Sequence, residues 1–83
     1  MEDLDLLRVV DVRHLKDYTM DISFSNGETK RVDFFPLLKG KMFEPLKDYK
    51  NFVQFALTYW TLEWYNGADF APDYLYKNGI AIV

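Results

Sequence analysis

Apolar and polar residues alternate with a period of two over residues 19–24, with Met20, Ile22 and Phe24 on one side and Asp21 and Ser23 on the other. This is the pattern of a strand that turns one face to a core. Residues 8–15 alternate in the same way, which predicts Val10, Val12 and His14 on one face and Asp11 and Arg13 on the other. Lys16, Asp17 and Tyr18 form the turn between the two strands. Ser25, Asn26, Gly27 and Glu28 follow, and the Asn-Gly pair tolerates the positive φ angles of a type I′ hairpin turn, so strands two and three pair antiparallel. Strand three, residues 29–35, sets Val32 and Phe34 against Arg31 and Asp33 and stops at Pro36, which has no N–H to give a ladder.

Beyond Pro36 the period changes. Residues 36–40 read as one helical turn, with Pro early and Gly40 as the breaker, and residues 47–52 as another. Alternation resumes over residues 53–57 and again over 61–65, where Leu62 and Trp64 share a face and Glu63 opposes them. The link through Thr58, Tyr59 and Trp60 has none of the Gly, Asn or Asp residues that usually turn a hairpin. Asn66 to Asp69 turn the chain out of the sheet. A short helix follows over residues 72–77, opened by Pro72 and Asp73 and closed at Asn78 and Gly79. Ile80 to Val83 are read as an apolar tail.

The expected fold is therefore α+β: a small antiparallel sheet of about five strands in hairpins, with one to three short helices. One domain fills residues 1–83. It divides into a loosely ordered segment (1–7) that folds back through Leu4, Leu6 and Leu7, a three-strand meander (8–35), a helical connection (36–52), two strands (53–65), and a closing turn, helix and tail (66–83).

Composition limits what such a domain can be. At 83 residues and 9.9 kDa the core is small, and the fifteen aromatic residues, each worth about 150–250 Å² of burial, let a short chain fill it. The net charge of −3 is spread over both halves, so there is no basic arm or acidic tail to attract nucleic acid or an anionic membrane surface. No cysteine is present, which excludes disulfides, thiolate metal sites and a cysteine nucleophile. The acidic start, with Glu2, Asp3 and Asp5, does not resemble a signal peptide, and no apolar run approaches a membrane span. A cytoplasmic location is the expectation.

Chemical motifs are scarce. His14 is the single histidine, and at a strand end on the inward face it reads as a tucked structural ring rather than a general base. Ser23 and Ser25 flank a hairpin, and no nucleophile elbow or Ser-x-x-Lys pair occurs. Asp33, Asp48, Asp69 and Asp73 lack the spacing of a cation loop and are read as structural, Asp69 and Asp73 lying near a helix start where capping and acceptance from backbone N–H groups account for them. The four glycines stand singly at turns and make no phosphate cradle. No catalytic residue, metal or cofactor is expected.

Two surfaces remain as candidates. Tyr59, Trp60, Trp64, Tyr65, Phe70, Tyr74 and Tyr76 crowd the last third of the chain, and Trp and Tyr near a turn are the anchor types of protein interfaces. A crowded core is the competing reading of the same rings. The second candidate is basic: Lys30, Arg31, Lys39 and Lys41, interleaved with Phe35, Phe43 and Tyr49, would form a nucleic-acid contact if they shared a face. The competing reading there is a solvated strand edge.

One ordered set of short motifs spans most of the chain: Phe24-x-Asn26-Gly27; Val32-Asp33-x-x-Pro36-Leu37-Leu38-x-Gly40; Phe43-x-Pro45-Leu46-x-Asp48; Phe52; and Trp64-x-Asn66-Gly67-Ala68-Asp69-Phe70-x-Pro72-x-x-Leu75-Tyr76. With this set the chain resembles the prokaryotic family known as domain of unknown function 2442. The resemblance implies a small α+β domain with an antiparallel sheet and short helices. Some members carry an added helix-turn-helix segment, which this sequence does not show. It also implies a two-gene arrangement with another small protein and an antitoxin-like or regulatory role. No catalytic residue comes with it. Tyr59 and Trp60 depart from the family pattern, which has a polar turn at that place. The function expected is that of a non-enzymatic domain that binds a small protein partner or itself, the alternative being a nucleic-acid-contacting regulatory domain.

Overall fold

A computed structural model describes residues 6–82. The expectations for residues 1–5 and for Val83 lie outside the described residues. The chain is α+β, as its pattern predicts. Strands β1 (Val9–Lys16), β2 (Thr19–Phe24) and β3 (Thr29–Asp33) form an antiparallel meander. Two 3-10 turns (Phe35–Leu37 and Glu44–Lys47) and the short helix α1 (Tyr49–Phe52) lead to a separate hairpin of β4 (Phe55–Leu57) and β5 (Leu62–Trp64). Helix α2 (Pro72–Asn78) then returns the chain to the meander. Strand β6 (Ile80–Ile82) pairs antiparallel with β3, so the larger sheet runs β1-β2-β3-β6.

Period-two burial places Met20, Ile22, Phe24 and Val32 on the covered face of this sheet. Phe34, Leu38, Leu46, Phe52, Leu62, Trp64, Phe70 and Leu75 press onto it from the connecting turns, the hairpin and α2, so one core lies between the sheet and the rest of the chain. The opposite face is open and polar over β1–β3, with the Arg31 guanidinium held in a two-pronged bond to the Asp21 carboxylate (2.8 and 3.1 Å). That bond, aided by the field of Arg13, draws the Asp21 pKa below the usual carboxylate value and raises that of Arg31.

Three local features differ from the sequence reading. Strand β1 pairs Val9 with Phe24 and Asp11 with Ser23, so Val10 is an extra residue in a bulge. The inserted residue turns Val9 inward and leaves Val10, expected on the covered face, exposed. The Asn26-Gly27 turn is not type I′, because Asn26 does not have positive φ; Gly27 does, at 90°. The Gly27 N–H bonds the Phe24 carbonyl and the Phe24 N–H bonds the Glu28 carbonyl, which is a three-residue loop with its glycine in the left-handed region. The same loop recurs at residues 64–68, with Asn66 accepting from the Ala68 N–H just as Asn26 accepts from the Glu28 N–H. Residues 80–82, expected as a tail, form the sixth strand.

Candidate functional site

The link through Thr58, Tyr59 and Trp60 turns without glycine because one hydroxyl does the work of a turn residue. Thr58 Oγ1 donates to the Thr61 carbonyl (2.7 Å) and accepts from the N–H groups of Trp60 (3.2 Å) and Thr61 (3.0 Å). The Thr58 N–H also bonds the Thr61 carbonyl, closing a tight turn with Tyr59 and Trp60 at its apex. Thr61, buried below, donates its own hydroxyl to the Phe70 carbonyl (2.8 Å) and fixes the turn to the core.

The apex is tied to β1 as well. The Val9 N–H bonds the Trp60 carbonyl (2.8 Å), and Arg8 Nη1 donates to the Tyr59 carbonyl (3.3 Å) while its guanidinium carbon lies 4.7 Å from the Tyr59 ring centre. The two apex rings meet edge to face at 5.7 Å. They are held in place and exposed: Tyr59 is 73% accessible and Trp60 49%. Exposed Leu57 lies on the adjoining strand of the hairpin, and exposed Val10 follows the tethered Val9. A turn whose main chain is already anchored has less ordering left to lose on contact with a partner, which favours binding.

The other rings of the predicted partner surface do not join this apex. Trp64 (2% exposed) and Phe70 (7%) belong to the core, a correction to their reading as surface anchors. Residue 64 faces inward by strand alternation, and its indole N–H donates to the Phe52 carbonyl at 2.6 Å. Phe70 is stacked between Phe43 (4.5 Å) and Tyr74 (5.7 Å), which leaves Tyr74 partly exposed on α2. Tyr76 is half-buried against Phe24 and donates its hydroxyl to Glu28 (2.5 Å). Tyr65 is exposed, but at the opposite end of the β4–β5 hairpin from Tyr59 and Trp60.

The basic candidates do not share a face either. Lys30 and Arg31 are neighbours on β3 and project to opposite sides of the sheet. The Lys30 ammonium sits over the Tyr76 ring (4.1 Å), whereas Arg31 is committed to Asp21 on the open face. Lys39 and Lys41 are exposed in the loop after the first 3-10 turn. Of the interleaved rings, Phe35 packs on Tyr18, Phe43 stacks on Phe70 and Tyr49 leans on His14.

His14 is half-buried, its Nε2 donating to the Asp17 carbonyl (2.9 Å) and its ring set against Tyr49 and Phe52. Asp48 caps α1 through the Lys50 N–H (3.2 Å) and Asp33 accepts from the Phe35 N–H (3.2 Å). The backbone of Asp69 pairs with that of Glu63 in an isolated antiparallel bridge, and Asp73 lies in the first turn of α2. Among the described residues no group of three or more His, Cys, Asp or Glu side chains is placed to hold a metal ion. No helix among them is long and apolar enough to cross a membrane.

Sequence reasoning missed Arg8, Val10 and Thr58 as parts of the apex. The Thr58 signal was present, since a threonine hydroxyl can close a turn on the main chain two and three residues ahead. The roles of Arg8 and Val10 depend on pairing across most of the chain. Among proteins of known family, the family described as protein of unknown function (DUF2442) matches residues 9–81. No curated protein and no solved structure matches the chain.

Proposed function

The chain belongs to the DUF2442 family of proteins of unknown function, and we propose that it acts as a non-enzymatic interaction module that binds a small protein partner through the β4–β5 apex. One observation carries this reading: the main chain of Tyr59 and Trp60 is fixed by hydrogen bonds to Thr58, Val9 and Arg8, and yet their rings stand exposed, touching each other and the Arg8 guanidinium. Large exposed rings on an anchored main chain serve no core, and they are the residue types that anchor interfaces. Leu57 and Val10 are exposed as well, and Arg8 adds a cation over the Tyr59 ring. The partner of choice is the product of the adjacent gene in a prokaryotic cytoplasm, and an antitoxin-like or regulatory role for the pair rests on the family resemblance alone.

The test is co-expression with the neighbouring gene product, followed by sizing with light scattering. Co-elution should be lost in the Tyr59→Ser, Trp60→Ser double variant and kept in Tyr65→Ser, whose ring lies at the far end of the hairpin. Separate elution of the two wild-type proteins, or a complex indifferent to the double variant, would refute the proposal.

A further inference from the structure

The larger sheet has two outer edges that are treated very differently. On the β1 side, the Val9 N–H is taken by the Trp60 carbonyl, a bulge interrupts the strand at Val10, β4 packs alongside, and Asp11, Arg13 and Lys16 add charge. These are the devices that keep an edge from pairing with another chain. On the other side, β6 consists of Ile80, Ala81 and Ile82 and, among the described residues, carries none of them. Ile80 is 74% exposed, the most of any large apolar residue described.

The hydrogen-bond alternation identifies which backbone groups of β6 are free. Residues 24 and 28 form a bonded pair that closes the β2–β3 hairpin, and residues 18 and 34 form another at its far end. Bonded and non-bonded pairs alternate between them, so Thr29 and Arg31 turn their N–H and C=O groups away from β2 and toward β6. Their partners there are Ile82 and Ile80. Ala81, between the two isoleucines, therefore directs its N–H and C=O out of the sheet.

We propose that β6 pairs antiparallel with β6 of a second copy of this chain across a two-fold axis at Ala81, joining two four-stranded sheets into one of eight strands. The sequence Ile-Ala-Ile reads the same in both directions, so this register is self-complementary, as a two-fold interface requires. The Ala81 N–H of each copy donates to the Ala81 carbonyl of the other. Ile80 then lies opposite Ile82 of the second copy in a non-bonded pair, the kind in which side chains come closest. Both isoleucines sit on the open face, beside Arg31 and Thr29 respectively, and the four isoleucines form one apolar strip that covers the exposed Ile80 side chains. No charged residue faces a like charge across the new strand pair. A three-residue strand buries less than the roughly 1,200 Å² of a stable complex, so the dimer is one that dissociates on dilution. The surface lies at the opposite edge of the sheet from the apex rings and is independent of them.

Sedimentation equilibrium of the 83-residue chain over a wide concentration series should show mass rising from one 9.9 kDa chain toward two and no further. Ala81→Pro removes the outward N–H but no bond to β3, and should abolish the dimer. Ile80→Lys should weaken it by about tenfold or more, the loss of both close isoleucine pairs. Circular dichroism and the melting temperature of each variant at low concentration verify that the monomer stays folded. Hydrogen exchange at the Ala81 amide should slow with rising protein concentration. A chain monomeric at every concentration would overturn the proposal. So would mass that grows without limit, as head-to-tail pairing of β6 with β1 would give. Capture of a foreign strand peptide without self-association, or a dimer indifferent to both substitutions, would also refute it.

Discussion

Gly79 joins α2 to β6, and its replacement by alanine tests how that junction is built. Its backbone, at φ −94° and ψ 165°, is open to any residue. On conformational grounds alone, Gly79→Ala should stabilise the domain by about 0.4–1 kcal/mol through a less free unfolded chain. Space predicts the opposite sign. An added Cβ would lie 2.7 Å from Lys30 Cβ, 3.1 Å from Val32 Cγ2 and 3.2 Å from the Leu75 carbonyl oxygen. Comfortable carbon contacts need about 3.5–4.0 Å. Lys30 Cβ cannot swing away by a change of rotamer, so relief requires the helix end and β3 to part by close to an ångström. Overpacking of this kind costs about 1–3 kcal/mol. After the entropic gain is subtracted, a net loss of up to about 2.5 kcal/mol remains, which for a domain this size lowers the melting temperature by as much as roughly 10–20 °C. Urea and thermal unfolding of the two proteins measure it. Hydrogen exchange should show the Ile80 amide opening while that of Ile22 in the sheet centre holds. A variant as stable as the parent, or more so, would refute the close approach of α2 and β3.

Other parts of the structure give equally direct expectations. Thr58→Val keeps the shape of the side chain but loses three hydroxyl bonds, and should cost about 1–2 kcal/mol; Thr58→Ser should retain most of that, and equal stability of the valine and serine variants would show the turn to be held otherwise. The two tryptophans should differ in fluorescence: Trp60→Phe should leave a blue-shifted emission from buried Trp64 that iodide hardly quenches, and strong quenching in that variant would contradict the burial of Trp64. Because hydrogen bonding to Arg31 lowers the Asp21 pKa in the folded state, its stabilising effect is present above the ordinary carboxylate pKa and is lost as pH falls through the folded value. Asp21→Asn should therefore be slightly less stable than the parent at neutral pH, the gap closing under acid and narrowing with salt; a gap that widens on acidification would invert the assignment.

The parts of the fold legible in the sequence are those in which one residue step equals one change of face. Strands β2 and β3 met that condition, and the inward placement of Leu62 and Trp64 was readable from the same alternation. Val10 was misplaced because a bulge adds a residue without changing composition, and so reverses the faces on either side without a mark. The Asn-Gly pair located the turn correctly but not its type, which depends on whether the glycine falls inside the central pair or one residue after it. Strand β6 was hidden because three residues are too few to show alternation and its partner lies some fifty positions earlier. The candidate surfaces suffered from treating neighbours in sequence as neighbours in space. Lys30 and Arg31 part to opposite faces for the same reason that makes a strand recognisable, and Trp64 and Tyr65 part likewise. Only the adjacent pair at a turn, Tyr59 and Trp60, stays together.

The position of β6 also bears on how the protein comes to be made. In the finished fold β3 is an interior strand, but its partner is not synthesised until residues 34–79 have been added. At translation rates of about 5–20 residues per second, that is an interval of seconds, while a hairpin such as β2–β3 forms in microseconds. The nascent meander therefore presents β3 as a naked edge during growth, next to other nascent chains of the same kind. Lys30, Arg31 and Asp33 make β3 a densely charged strand, and edge charges discourage pairing between copies. Their placement on a strand that ends up shielded makes sense as protection during synthesis, a hazard that the completed sheet no longer displays.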